Sequence, residues 1–484
     1  MNTTNNNSNT NNKKLLRLLA AFARDGLEVT HDNGIWSVRL RGDDGRFADV
    51  LLPDGFAVEG KALRQLAQLA AARHPRGGEV CRCGASPDFH PGDGGVAIGS
   101  VAEMAGLVVP AAVGSDIHCG MRLHMVDIDV DRFDDVKDAI VKDMGGQYFL
   151  GARDLPMQGA HFRALFHDGL AGLFQQWRHG ERRGLLAGLD LDTLEAERAR
   201  IFDGGSLVGS PTWMPPGLVV EDQWIRDDGL GTIGGGNHFV EVQVVEEIVD
   251  STAAWHLGVK RGQVAVMIHS GSRHVGKHVG GIFAHKARQA WPTGLAHPHG
   301  ELFGLSEAHT PTLLNDYVTA EAAAGHYAFL NRLLLAEMLR QSIQKHCGDV
   351  AMPLVFDLPH NLTRRENDRW VVRKGACPAH AGQPVIIPGS MGASSYLGMG
   401  RGHDRYLSTA SHGAGRARSR HEMAHLSPTE LGLDRTHCIT PRAERRIEEA
   451  PAAYKPIEAV IDVQVKAGII DVVARLRPLL TFKA

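Results

Sequence analysis

The stretch Gly114-Ser115-Asp116-Ile117-His118-Cys119-Gly120-Met121-Arg122 decides how the rest of the chain is read. A carboxylate, an imidazole and a thiol lie within four residues, with Gly114 and Gly120 on either side. The glycines let the backbone turn sharply, so ligands from both sides of the turn can face one cation. An apolar run, Leu107 to Val113, precedes the stretch. Val126, Ile128 and Val130 follow, alternating with Asp127 and Asp129. That pattern predicts strand, tight loop, strand. Alone, a cysteine beside a strand is more often a small buried hydrophobe than a ligand. The histidines elsewhere turn the reading toward metal chemistry.

Five of them stand beside apolar runs or Gly/Ser turns: His90 in PDFHPG, His238 in GGGNHF, His269 in MIHSGSR, His360 in LPHN and His412 in ASHGAGR. Any one alone is most simply a hydrogen-bonded histidine. Together, Asp116, Cys119, His238, His269 and His360 can hold two cations that share the thiolate. Such a pair steadies the attacking and leaving oxygens of a phosphoryl transfer. Thiolate and imidazole favour zinc, whereas carboxylate and water tolerate manganese. In Ser408–Arg420, STASHGAGRARSR, His412 precedes a Gly-Ala-Gly turn and Arg416, Arg418 and Arg420. Glycines admit a phosphate close to the backbone, arginines grip it with two prongs, and a neutral imidazole can attack phosphorus. The plainer alternative is a basic surface loop. Ser270 to Arg273 repeats the theme after His269.

Other motifs carry less. Gly229 to Gly234 matches GxGxxG, but no convincing strand precedes it and a strand, not a helix, follows. No GxxxxGK[ST] loop occurs. Cys81-Arg-Cys83 has no second pair at finger spacing and reads as structural.

The bulk numbers set bounds. A length of 484 residues admits two or three average domains or one large one. A hydrophobic share of 43% with 22% charged suits a globular chain with a sizeable core. The net charge of -3 excludes a global basic field, so nucleic acid must be gripped by a local patch. Six sparse cysteines do not form a disulfide framework, and neither a signal peptide nor a membrane span is evident. A reducing cytoplasm is the expected location. The Asn-rich residues 1–14 read as a disordered tail. Residues 15–484 read as one large α+β domain, because the motif loops are spread over the chain and strands and helices alternate without βαβ rhythm. The expected core is a mixed β-sheet with flanking helices and a central metal site built from loops. Residues 150–205 are expected to be a helical surface insertion. Ser306 to Cys347 is the longest helical stretch, with a break near Thr310 to Leu314. Ala450 to Leu480 reads as a strand around Val460 and then a short helix.

Taken in order, PDFHPG, GSDIHCGMR, GGGNHFVE, HSGSR, AGHYAFLNR (Ala324–Arg332), PHN, RKGA (Arg373–Ala376), PGSMGASSY (Pro388–Tyr396), HGAGR and AYKPI (Ala453–Ile457) resemble the RtcB family of RNA-splicing ligases. The resemblance covers roughly residues 60 to 484. It implies a GTP- and manganese-dependent enzyme that joins an RNA 3′-phosphate or 2′,3′-cyclic phosphate to a 5′-hydroxyl, in tRNA splicing or RNA repair. By this similarity Asp116, Cys119, His238, His269 and His360 hold two manganese ions, and His412 takes GMP from GTP. Asn237, Phe239, Glu241, Ser390, Ser394, Ser395, the turn Gly413-Ala414-Gly415 and Lys455 form the guanylate pocket. Arg273 and Arg416 bind phosphate. The expected partner is broken RNA, without a membrane; a monomer is the expected state and an accessory activator a candidate partner. The family usually carries a small residue or Asn at position 118 and Gly-Leu at 274–275. His118 is therefore expected either to alter the metal shell or to touch RNA. Two alternatives are an enzyme that opens cyclic phosphate ends without ligation and a non-catalytic RNA-repair subunit.

Overall fold

Strand order does the positioning in this chain. The computed structural model describes residues 4–53, 55–433 and 436–484 and gathers most strands into two sheets. The first runs, in spatial order, β1 (Leu27–Asp32), β2 (Ile35–Leu40), β3 (Ala48–Leu51), β4 (Glu79–His90), β5 (Ile98–Ala105), β11 (Arg369–Lys374) and β10 (Asn361–Glu366). The second runs β9 (Leu354–Pro359), β6 (Gly120–Asp129), β8 (Gln263–Ser270), β7 (Phe239–Ile248), β15 (Ile470–Phe482), β13 (Ser395–Gly400) and β12 (Pro384–Ile387). The short strand Cys438–Ile439 lies parallel to β15. Helices flank both sheets, as an α+β reading requires. All six cysteines are free thiols. Among the described residues no helix is long and apolar enough to cross a membrane.

Register then lines up the chemistry. Pro359 pairs with Gly120, Met121 with His269, and His269 with Phe239. His360, Cys119, His269 and His238 therefore stand side by side at one end of β9, β6, β8 and β7. Adjacent strands lie about 4.8 Å apart, close enough for side chains from neighbouring ends to meet.

Behind this row runs the helix Pro311–Cys347, here α5 after α1 (Thr4–Arg24), α2 (Gly60–Ala70), α3 (Gly159–His179) and α4 (Arg273–Gln289). Every residue of α5 from Ala320 to Arg340 is buried. A helix buried on all sides must give its polar side chains partners. Asn331 Nδ2 donates to the Thr232 carbonyl (3.0 Å) and Ser270 Oγ (2.9 Å). Arg332 Nη1 donates to the carbonyls of His118 (2.8 Å) and Ser270 (2.9 Å). Its Nε and Nη2 both reach Asp357 Oδ1, at 3.0 and 2.7 Å. Asp357 Oδ2 accepts from Arg122 (3.2 Å), and Arg122 and Arg340 share Glu197. The loops before β6 and after β8 are thus pinned from below.

Several expectations change. The anticipated break in the long helix is its start, with Pro311 in the first turn, where a missing N–H costs nothing. The run Leu107–Val113 is a two-residue strand followed by the one-turn helix Pro110–Val113. The C-terminal order is reversed: Ile457–Lys466 is helical and Ile470–Phe482 is strand β15. Val460, Ile461 and Ile457 make one buried helix face, a spacing that a short apolar run cannot distinguish from a strand. Residues 150–205 are largely helical but not a surface insertion. Phe162, Leu165, Phe166, Leu170 and Trp177 of α3 are buried in the largest core cluster, and Glu197 sits in the buried charge network. Helix α1 takes in residues 4–14 of the tract read as a disordered tail, and residues 1–3 lie outside the described residues. Leu15, Leu18 and Leu19 give that helix its packing, against the core around Phe22 and Leu27.

Arg332→Met tests the pinning. It leaves Asp357 short of its best partner and two buried carbonyls without a donor, so we expect a loss of about 3–5 kcal/mol. Urea unfolding of the variant against wild type measures it.

Candidate active site

The row of ligands closes into two overlapping groups. Cys119 Sγ lies 3.1 Å from His238 Nε2 and 3.2 Å from His269 Nε2. His269 Nε2 is 3.2 Å from His360 Nε2, and His238 Nε2 is 2.9 Å from Asp116 Oδ2. Asp116, Cys119 and His238 form one group of potential ligands, and Cys119, His269 and His360 the other. The sulfur belongs to both. A cation with bonds of about 2.1–2.3 Å holds neighbouring ligand atoms on the order of 3 to 3.7 Å apart, and the observed separations mostly fall in or near that range. The donor set therefore fits two cations.

The protonation states suit ligation. Burial keeps the imidazoles of His269 and His360 neutral, with their pKa values well below the ordinary histidine range. His269 Nδ1 faces the Asn237 carbonyl at 3.2 Å; donating there frees Nε2. Burial alone would raise Asp116, but the neighbouring His238 holds it below the usual carboxylate range. Burial, with Asp116 beside it, pushes the Cys119 thiol up, so a bound cation is what would make it a thiolate. Gly271 is required beside this pair, because a Cβ there would come within 2.2 Å of Asp116 Oδ1.

His412 stands over the second group. It follows the short strand β14 (Thr409–Ser411), and its ring centroid is 4.7 Å from that of His360. Its Nδ1 donates to Asp88 Oδ2 at 2.5 Å and its backbone N–H to the same oxygen at 3.2 Å. Asp88 is fully buried at the end of β4 and also accepts from Ser86 Oγ. Burial would raise its pKa, yet His412 beside it keeps the carboxyl below its ordinary value. The arrangement leaves His412 Nε2 as the free ring nitrogen. Gly415, at φ +74°, lets the loop pass against Asp88, where a Cβ would stand 2.1 Å from the Asp88 carbonyl oxygen.

These groups line one cavity of about 850 Å³. Asp116, Cys119, His269 and His360 reach it, as do Asn237, Phe239, Glu241, Ser390, His412, Gly413, Ala414, Gly415 and Arg416. Other expected site residues support the wall from behind. His238, a member of the ligand row, is not among the residues that line the cavity. Ser395 Oγ accepts from Gly389 N (3.2 Å) and Gln243 Nε2 (3.0 Å), holding the Pro388–Ser390 turn, with Ser394 beside that turn. Lys455 Nζ donates to the carbonyls of Pro87 (3.2 Å) and Phe89 (2.5 Å), the residues on either side of Asp88. Burial brings Lys455 down to about 8. Arg273 donates to Thr232 Oγ1 and packs beside His238 at Gly234. His90 lines the cavity with Nδ1 2.8 Å from the Asp88 carbonyl, and burial lowers it to about 4.

His118 neither joins the ligands nor meets the cavity. At φ +52° its ring turns under α5, buried against Phe329 and Gly325. His274, the other departure, pairs with Asp227. Sequence reasoning missed Asp88, Lys374, Glu449, Tyr454 and Lys483, all close to or lining the cavity. Asp88 stands in PDFHPG, where His90 carries the more conspicuous sequence signal. Lys483, the penultimate residue, gave no motif signal.

Glu241 offers a titration test. Its oxygens accept from Thr481 Oγ1 (2.5 Å) and Gln243 Nε2 (2.6 Å), and burial raises it to about 7. The folded protein thus keeps this proton while the unfolded chain loses it near pH 4.5, so this group's contribution to stability falls between pH 4.5 and 7. Glu241→Gln is expected to be more stable than wild type by about 1–3 kcal/mol at pH 8, and not at pH 4.5. Denaturant unfolding at the two pH values checks it.

Comparison with known proteins follows the same residues. The family model for the tRNA-splicing ligase RtcB matches residues 65–484. The tRNA-splicing ligase RtcB of Pyrobaculum aerophilum is 32% identical over 440 residues, 81% of this chain and 86% of that protein. The RNA-splicing ligase RtcB of Mycobacterium tuberculosis is 34% identical over 439 residues, 82% of this chain and 95% of that protein. With the match spanning the ligand row, the Asp88–His412 pair and the cavity walls, the chain belongs to the RtcB family.

Proposed function

We propose that this chain, an RNA ligase by its family, joins RNA 3′-phosphate or 2′,3′-cyclic phosphate ends to 5′-hydroxyl ends through a guanylylated His412, with GTP as co-substrate and two manganese ions. The observation that carries the reading is the juxtaposition of two features. A histidine has one ring nitrogen fixed by a buried carboxylate, and its ring lies 4.7 Å from the nearest imidazole of a two-cation ligand set.

The chain's own residues would act as follows. Asp88 fixes the His412 tautomer with the proton on Nδ1, so that Nε2 carries the lone pair. Nε2 attacks the α-phosphorus of GTP, the N–P bond forms, and pyrophosphate leaves. A cyclic end is first opened by water, which adds to its phosphorus as the P–O2′ bond breaks and a 3′-phosphate is left. The RNA 3′-phosphate oxygen then attacks the same α-phosphorus and the N–P bond breaks, giving GMP joined to the RNA end. The 5′-hydroxyl then attacks the RNA phosphorus, and GMP departs. Asp116, Cys119, His238, His269 and His360 would hold the manganese ions, which when bound supply positive charge to the crowded phosphates. Arg416 and Arg273 add fixed positive charge. Asn237, Phe239, Glu241, Ser390 and the Gly413–Gly415 turn would cradle the guanylate. Ser394, Ser395 and Lys455 act through the segments they hold. A reducing cytoplasm, where Cys119 stays a free thiol, is part of this reading.

Intact-mass measurement after incubation with GTP and manganese is expected to show one added guanylate per chain, mapped to the His412 peptide. His412→Ala should abolish the adduct, and Asp88→Asn should slow its formation by about 10²–10⁴. An unmodified chain that still opens cyclic phosphate ends would instead support the end-processing alternative.

A further inference from the structure

Glu449 is a buried acid among cations. It caps the short helix Ala443–Glu448 and is 1% exposed. Oε2 accepts from Arg416 Nη1 (3.1 Å) and from the Tyr454 hydroxyl, and Oε1 accepts from Arg420 Nε (3.3 Å). Lys483 adds a further positive charge nearby.

The two arginines are held differently. Arg416 is tied down: Nη2 also donates to the Glu448 carbonyl (2.9 Å), and Nε to that of Arg418 (3.2 Å). Its guanidinium lies over the Tyr454 ring, 5.4 Å from the centroid. Arg420 is gripped only at Nε. Its Nη1 and Nη2 have no hydrogen-bond partner among the described residues, and Nη2 lies 3.5 Å from where a Cβ of Gly236 would stand. Gly235 and Gly236 lead directly into Asn237 and His238. The free fork therefore hangs at the cavity wall, beside the loop that carries a cation ligand.

We propose that Glu449 is a positioning residue for the RNA phosphate: by holding Arg420 at Nε it presents the Nη1/Nη2 fork to a phosphodiester crossing the cavity mouth beside Gly235 and Gly236. The inference rests on the reading that RNA ends enter this cavity. A guanidinium with its stem fixed loses less freedom when it grips a phosphate with two prongs. Charge alone argues the opposite. Glu449 is an anion, and replacing it with glutamine makes the wall more positive, which should strengthen binding to a polyanion. The sign of the effect separates the two accounts.

The test uses the full chain in EDTA with a single-stranded RNA carrying a 3′-phosphate, read by fluorescence anisotropy over a salt series. Glu449→Gln is expected to bind about tenfold more weakly, and the slope of log K against log salt to fall by about 0.7, the equivalent of one phosphate contact on a single strand. Glu449→Asp keeps the charge but shortens the reach, so it should also bind more weakly. Glu449→Gln should cost less in an Arg420→Met background than in wild type. If Glu449→Gln does not fold by circular dichroism, Glu449→Asp decides on the same terms. Binding as tight as wild type, or tighter, in the folded variant overturns the proposal. Failure of wild type itself to bind RNA overturns instead the assignment of the cavity to RNA, and the inference with it.

Discussion

Arg332 holds the site together from beneath. Its guanidinium, fully buried in the middle of α5, bonds the carbonyls of His118 and Ser270, the residues next to Cys119 and His269. Asp357 balances its charge and is itself balanced by Arg122 on the neighbouring strand. Burying such a network is costly unless every prong finds a partner, and Arg332 uses all three of its nitrogens. The backbone on either side of the shared sulfur is therefore fixed by the fold. Cation binding would then draw on ligands already near their working separation, which favours affinity and rigid geometry.

The two sheets divide the remaining work. The second sheet supplies four of the five proposed ligands from four adjacent strand ends, which this strand order brings together. The first sheet supplies β4, whose end carries Asp88, and through Asp88 it sets the orientation of His412. Lys455, from beyond the arginine-rich segment, ties the carbonyls around Asp88. The His412 ring, oriented by the first sheet through Asp88, and the row on the second sheet thus meet at a cavity of about 850 Å³.

Local chemistry was legible in the sequence, and long-range partnership was not. The ligand set could be proposed because thiol, carboxylate and imidazoles sit in glycine-rich loops with short-range signatures. The α+β class followed from mixed strand and helix patterns. The role of Asp88 needed a contact across 324 positions, which no local pattern reports. His118 looked like a site residue because it adjoins Cys119, but a positive φ turns successive side chains apart and sends its ring into the core. The apolar run around Val460 reads as a strand because it is too short to show the helical period that Ile457–Lys466 adopts. The stretch 150–205 reads as peripheral because its charged residues are frequent, while its aromatic face and Glu197 are buried by α5.

The central claim is a pair of cations that share one sulfur. Manganese titration of the metal-free chain, with bound metal counted by mass spectrometry and the spin state followed by electron paramagnetic resonance, tests it most directly. The account predicts two ions per chain with an exchange-coupled signal in wild type, and loss of that coupled signal in Cys119→Ala. A single uncoupled ion, or an unchanged coupled pair without the sulfur, would contradict it.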